Sequence, residues 1–124
     1  MRKALVVDDS RAMRMLLSKT LREAGFEVVQ AANGRDALAA MDREGTAISL
    51  VLLDWNIPEL SGIEVLETLR SRSEFDATRM VMVTTETEIE QMARALSSGA
   101  DEYVMKPFTR EALRDKLRLI GVLP

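Results

Sequence analysis

Three aspartates, a threonine and a lysine stand where the chain could do chemistry. Asp8 and Asp9 follow the apolar run Ala4–Val7, and Asp54 follows Ala47–Leu53. Thr84 and Thr85 follow Met80–Val83, and Lys106-Pro107 follows Tyr103–Met105. Three carboxylates brought together repel at low dielectric, and two of them tend to protonate unless a cation intervenes. The chain has no histidine and no cysteine. Its ligands are therefore oxygens, which select a hard ion such as Mg2+ over Zn2+. Mg2+ bound by one or two carboxylates keeps positions open for phosphate oxygens. A lysine ammonium pairs with a phosphoryl oxygen as a point charge, and a hydroxyl donates to another. Asp54 is the candidate nucleophile, because carboxylates form acyl phosphates and Asp8 with Asp9 reads as a metal-binding pair.

Taken singly, these residues have ordinary structural roles. Asp9 or Ser10 would serve as a helix N-cap, and a Lys-Pro step as a turn. Their recurrence at separate strand ends is what points to a shared task. The elements that must bring them together are legible. Four short apolar runs and a weaker one, Glu27–Ala31, have the length and composition of strands in a parallel sheet covered on both faces. Between them, helical periodicity groups Met13, Leu16, Leu17 and Leu21, then Ala37, Leu38 and Met41, then Ile63, Leu66 and Leu69. Two more faces follow, Ile89, Met92, Ala93 and Leu96, and Leu113, Leu117 and Ile120. Gly25, Gly45, Gly99 and Gly121 mark helix ends, while Asn33, Ser61 with Glu64, and Thr109 mark starts. The expected fold is α/β: one (βα)5 domain over residues 1–124, a doubly wound parallel sheet. Ligands of such sheets sit at the carboxyl ends of the strands, where the candidate residues fall.

Composition narrows the function further. Hydrophobic residues make up 47 % and charged residues 30 %, with a net charge of -3. That balance suits a folded domain and gives no basic surface for nucleic acid. Without histidine, the Ser-His-Asp scheme and the commonest general base are excluded. Acids break the N-terminal apolar run at once, so no signal peptide or membrane span is expected, and a cytoplasmic location is the default.

The stretches "VVDDS", "LLDWNIP", "VTTE" and "YVMKPF" together resemble the receiver domain of bacterial two-component response regulators. The resemblance covers the whole chain. It is most similar to the single-domain, CheY-like chemotaxis regulators, whose flavodoxin-like sheet has strand order 2-1-3-4-5. It implies that Asp54 is the phosphoacceptor for a sensor histidine kinase. It also implies that Asp8, Asp9, Asp54 and the Asn56 carbonyl hold Mg2+. Lys106 would pair with the phosphoryl group, through a cis Lys106-Pro107 bond in this family. Thr84 and Tyr103 would be the switch pair. Asn56 and Glu86, each two residues past a site residue, would tune the lifetime of the phosphoryl group and make it short. The output protein would bind the face of helix four, strand five and helix five. Ile89, Met92, Tyr103 and Lys116 are candidate contacts there, and Ile89 stands where the chemotaxis relative has lysine. The implied protein is a monomeric signalling domain, not a turnover enzyme.

Alternatives remain at this level. The same parts describe an Asp-nucleophile phosphatase of the haloacid dehalogenase type. That family places its nucleophile in a DxDx(T/V) motif after the first strand, whereas Asp8-Asp9-Ser10 stands here. A receiver of a larger regulator, or a phosphate sink, would carry the same site.

Overall fold

The computed structural model describes residues 2–124; Met1, the first residue of the expected domain, lies outside them. Five strands, β1 (Lys3–Val7), β2 (Glu27–Ala31), β3 (Ile48–Leu53), β4 (Arg79–Thr84) and β5 (Glu102–Met105), alternate with five helices. The helices are α1 (Arg11–Glu23), α2 (Gly34–Glu44), α3 (Gly62–Arg70), α4 (Ile89–Ser97) and α5 (Arg110–Leu119). All strand pairs are parallel, in the order β2-β1-β3-β4-β5. The central strands β1, β3 and β4 are nearly all apolar because both of their faces are covered.

Alternation along the strands sorts the core into two layers. Leu5, Val7, Val51, Leu53, Met80 and Met82 face α2, α3 and α4, where they meet Met41, Leu66 and Ala95. Ala4, Val6, Leu50, Leu52, Val81 and Val83 face α1 and α5, where they meet Leu17, Leu21, Leu113 and Leu117. A register shift between β1 and β3 interrupts this order: Lys3 pairs with Ile48 and Ala4 with Leu50, leaving Ser49 extra. The added residue turns Ile48 onto the α2–α3 side, and Ser49 Oγ donates to the Lys3 carbonyl at 3.2 Å. The expected strand start at Ala47 is accordingly one residue early, since Gly45–Ala47 is a single 3-10 turn.

The helix starts follow the capping chemistry. Ser10 caps α1 by accepting from Met13 N, Asn33 caps α2, Thr109 caps α5, and Ser61 with Glu64 forms a capping box on α3. Ser10, not Asp9, is therefore the cap after β1, and Asp9 is left exposed. Helix α4 differs: no side chain caps it, and Ala95 is its one fully buried residue. The apolar face grouped by its helical period is not the one that lies against the sheet. Ile89 is 82 % exposed and Leu96 47 %, while Gln91, Met92 and Ala95 turn inward, roughly a quarter turn away. Ala95 lets the helix lie close to the sheet, and the larger apolar side chains are displaced outward.

Candidate functional site

The site lies where β1, β3, β4 and β5 end. Asp8 continues β1 beyond Val7, and its N–H still donates to the Ala31 carbonyl at 3.1 Å. Asp54 continues β3 in the same way, donating from its N–H to the Val7 carbonyl at 3.0 Å. The sheet ladder thus carries both carboxylates one residue past the strands and holds them in register. Asp8 is buried and Asp54 only 7 % exposed. One carboxylate oxygen from each of Asp8, Asp9 and Asp54 falls within 4.8 Å of the others.

Lys106 joins this cluster from the far edge of the sheet. Its Nζ donates to Asp8 Oδ2 at 2.6 Å and to Asp54 Oδ2 at 2.9 Å. Burial pulls the lysine's pKa down, but the hydrogen bonds and charges of the two aspartates outweigh it and leave the value raised above 10.5. The ammonium is therefore a permanent charge at neutral pH. The Lys106-Pro107 bond is cis, as expected.

Around this centre, backbone donors fix the acids. Ser10 N donates to Asp8 Oδ1 at 2.9 Å, and Asn56 N to Asp54 Oδ1 at 3.3 Å. Asn56 Nδ2 donates to Glu86 Oε1 at 2.7 Å, so the two lifetime candidates meet across the site. Thr84 is fully buried, and its Oγ1 accepts from Glu86 N at 3.4 Å. No hydrogen bond joins Thr84 to Asp54 among the described residues. Tyr103 points inward, 4 % exposed, and its hydroxyl donates to the Glu86 carbonyl at 2.8 Å. Burial, then the charges of Glu86 and Asp54, push its pKa up to about 12.

Two residues that the sequence reading passed over take part. Gly62, the first residue of α3, lies against the Asp54 carbonyl and Trp55, and a Cβ there would collide with both backbones. Its N–H donates to the Trp55 carbonyl at 2.8 Å. Arg14, in the first turn of α1, donates from Nη1 to the Asp8 carbonyl at 2.8 Å. A glycine directly after a helix cap was the available signal for Gly62; one arginine among several on α1 gave none for Arg14.

The family model for the response regulator receiver domain matches residues 4–118. The chain belongs to that family. This receiver is 36 % identical over 119 residues to the chemotaxis protein CheY1 of Helicobacter pylori, covering 95 % of each chain. It is 34 % identical over 116 residues to a CheY homolog of Campylobacter jejuni, covering 93 % of the receiver and 88 % of that protein. The solved structure of the Vibrio cholerae chemotaxis protein CheY4 superposes with a TM-score of 0.87 at 37 % identity, covering 97 % and 98 % of the two chains. The fold is thus the CheY-like flavodoxin arrangement, and CheY-like receivers are signalling domains. Three oxygen-donor acids against one ammonium leave a surplus of negative charge, and that donor set fits a hard divalent cation such as Mg2+. No helix among the described residues is long and apolar enough to cross a membrane.

Proposed function

We propose that this receiver accepts a phosphoryl group on Asp54 from the phosphohistidine of a sensor kinase and, once phosphorylated, binds an output protein in chemotaxis-type signalling. The observation that carries this reading is Lys106 Nζ held between Asp8 and Asp54 beside Asp9, in a chain similar to chemotaxis proteins. In the transfer, an Asp54 carboxylate oxygen forms a bond to phosphorus as the histidine N–P bond breaks, and the leaving nitrogen keeps the electron pair. Lys106, already 2.9 Å from Asp54, pairs with a non-bridging phosphoryl oxygen. The ladder bonds of Asp8 and Asp54 keep the acceptor in line, which is an orienting contribution. Asp8, Asp9, Asp54 and the Asn56 carbonyl would hold Mg2+, which when bound supplies charge neutralisation at the phosphoryl oxygens.

The switch runs through Glu86. Its N–H contacts Thr84, its carbonyl accepts from Tyr103 and its carboxylate accepts from Asn56. A phosphoryl group that draws the Thr84 hydroxyl pulls on the same residue that holds the Tyr103 ring inward. The responding surface has unpartnered apolar groups for an output protein. Ile89 and Met105 are exposed, and a groove of about 390 Å³ runs past Tyr103, Pro107, Phe108, Ala112 and Lys116. Met92 packs partly against the core and is a poorer contact than Ile89.

Incubation with acetyl phosphate and Mg2+ tests the reading by mass spectrometry. The expected result is a gain of one phosphoryl group, lost in Asp54→Ala; no gain in the parent chain would overturn it. The phosphoform should be short-lived, with Asn56→Ala and Glu86→Ala each changing its decay rate.

A further inference from the structure

We infer that Arg14 is a positioning residue for the metal-binding acids, acting by holding the Asp8–Asp9 peptide at a fixed angle. This rests on the proposed Mg2+ and phosphoryl chemistry and adds a residue to it. Asp8 has four polar groups and each is filled. Its N–H donates to the Ala31 carbonyl, its Oδ1 accepts from Ser10 N and its Oδ2 accepts from Lys106. The fourth, its carbonyl oxygen, accepts from Arg14 Nη1 at 2.8 Å. That carbonyl belongs to the peptide bond whose other half is the Asp9 N–H. A peptide unit is planar, so holding its oxygen fixes the direction in which Asp9 leaves the strand.

Asp9 itself is exposed, and no side-chain or loop hydrogen bond holds it among the described residues. Its carboxylate reaches Asp8 and Asp54 only as the chain direction delivers it there. Arg14 thereby holds the peptide on the Asp8 side of Asp9, while the Ser10 N–H to Asp8 Oδ1 bond and the α1 cap hold the side that follows. Its guanidinium is braced in turn: Nε donates to Gln30 Oε1 on β2 at 3.3 Å. Two donors in one rigid plane, one on Gln30 and one on Asp8, are a task for a guanidinium fork and not for an ammonium. Arg14 touches neither Asp54 nor Lys106 among the described residues, so its effect reaches the acceptor through metal affinity.

Calorimetric Mg2+ titration of Arg14→Gln, Arg14→Lys and Gln30→Ala, each first shown to be folded by circular dichroism, tests this. Both Arg14 variants should bind Mg2+ roughly tenfold more weakly, in line with the loss of other groups that orient metal ligands. Gln30→Ala, at an exposed position on an edge strand, should show a smaller loss in the same direction. At saturating Mg2+, the rate of phosphorylation by acetyl phosphate should return to that of the parent chain, which a general structural defect would not allow. Parent-like Mg2+ affinity in Arg14→Gln overturns the inference, as does full rescue by Arg14→Lys. Should the Arg14 variants fail to fold, unchanged affinity in Gln30→Ala overturns it. Absence of Mg2+ binding in the parent chain would instead sink the proposed function.

Discussion

The two ends of the sheet each carry a cluster of charges, and they are built on opposite terms. At the amino end of β4 and β5, Arg70 donates to the carbonyls of Gly99 and Phe75 at 2.8 and 2.7 Å and to Asp101 Oδ2 at 2.9 Å. Asp101 also accepts from Met80 N, and Arg79 stands 3.6 Å away. Cations match or exceed anions there, and the fork of Arg70 is filled. At the carboxyl end, three acids share one lysine. The first cluster is complete and ties α3 to the sheet edge. The second carries an unneutralised charge, and its preference for a cation is what makes it chemically useful. Burial alone does not mark the candidate site here; a surplus of negative charge does.

The largest test of that contrast is Arg70→Ala. Removing it takes a partly buried ion-pair partner from Asp101 and a donor from each of two carbonyls, and should cost about 3 kcal/mol in urea unfolding, while the folded fraction still accepts phosphate. A loss of phosphorylation in the folded fraction would break the contrast. The converse substitution, Asp54→Ala without Mg2+, should raise stability by about 1 kcal/mol, because one of two like charges on a single ammonium is gone. Mg2+ should then stabilise the parent chain by roughly 1.4 kcal/mol at ten times its dissociation constant, in a melting experiment, and leave Asp54→Ala nearly unmoved.

The smallest effect is optical. Tyr103 is the only tyrosine, so tyrosinate absorbance reads it alone. Its pKa is raised to about 12 in the folded chain against 10 when exposed, so folding favours the protonated form. That contribution to stability is complete below pH 10 and is lost as pH rises through about 12. Absorbance should stay flat through pH 10; a midpoint at 10 would mean that the ring is not held inward. Glu86→Gln should lower the midpoint.

Much of this was legible before the fold. Asp8, Asp54, Thr84 and Lys106 each break an apolar run at a strand end, and parallel sheets place such ends together. The caps at Ser61 and Thr109 follow from equally local signals, while the β2-β1-β3-β4-β5 order came only with the resemblance to receiver domains. What was not legible depends on partners far along the chain. The apolar residues of α4 have a helical period whether they face the core or a binding partner, so the period alone did not say which of them, Ile89 and Leu96 included, lie outside. The bulge at Ser49 sits in a run apolar on both faces, where alternation gives no register. Arg14 resembles any surface arginine until its distance to Asp8 is known.

The lysine that completes the acceptor comes 98 residues after Asp8 and 52 after Asp54. It also arrives on β5, the last strand to be made and an edge of the sheet. A chain still emerging from synthesis, or one whose β5 has frayed, has all its acids but not the cation that organises them. On the proposed mechanism such a chain would lack the ammonium that pairs with the phosphoryl oxygen, and would be a poor acceptor. On the proposed function, signalling competence would thereby be tied to a contact between residues 98 apart in the chain, and the phosphoryl group would serve as a seal on a finished fold.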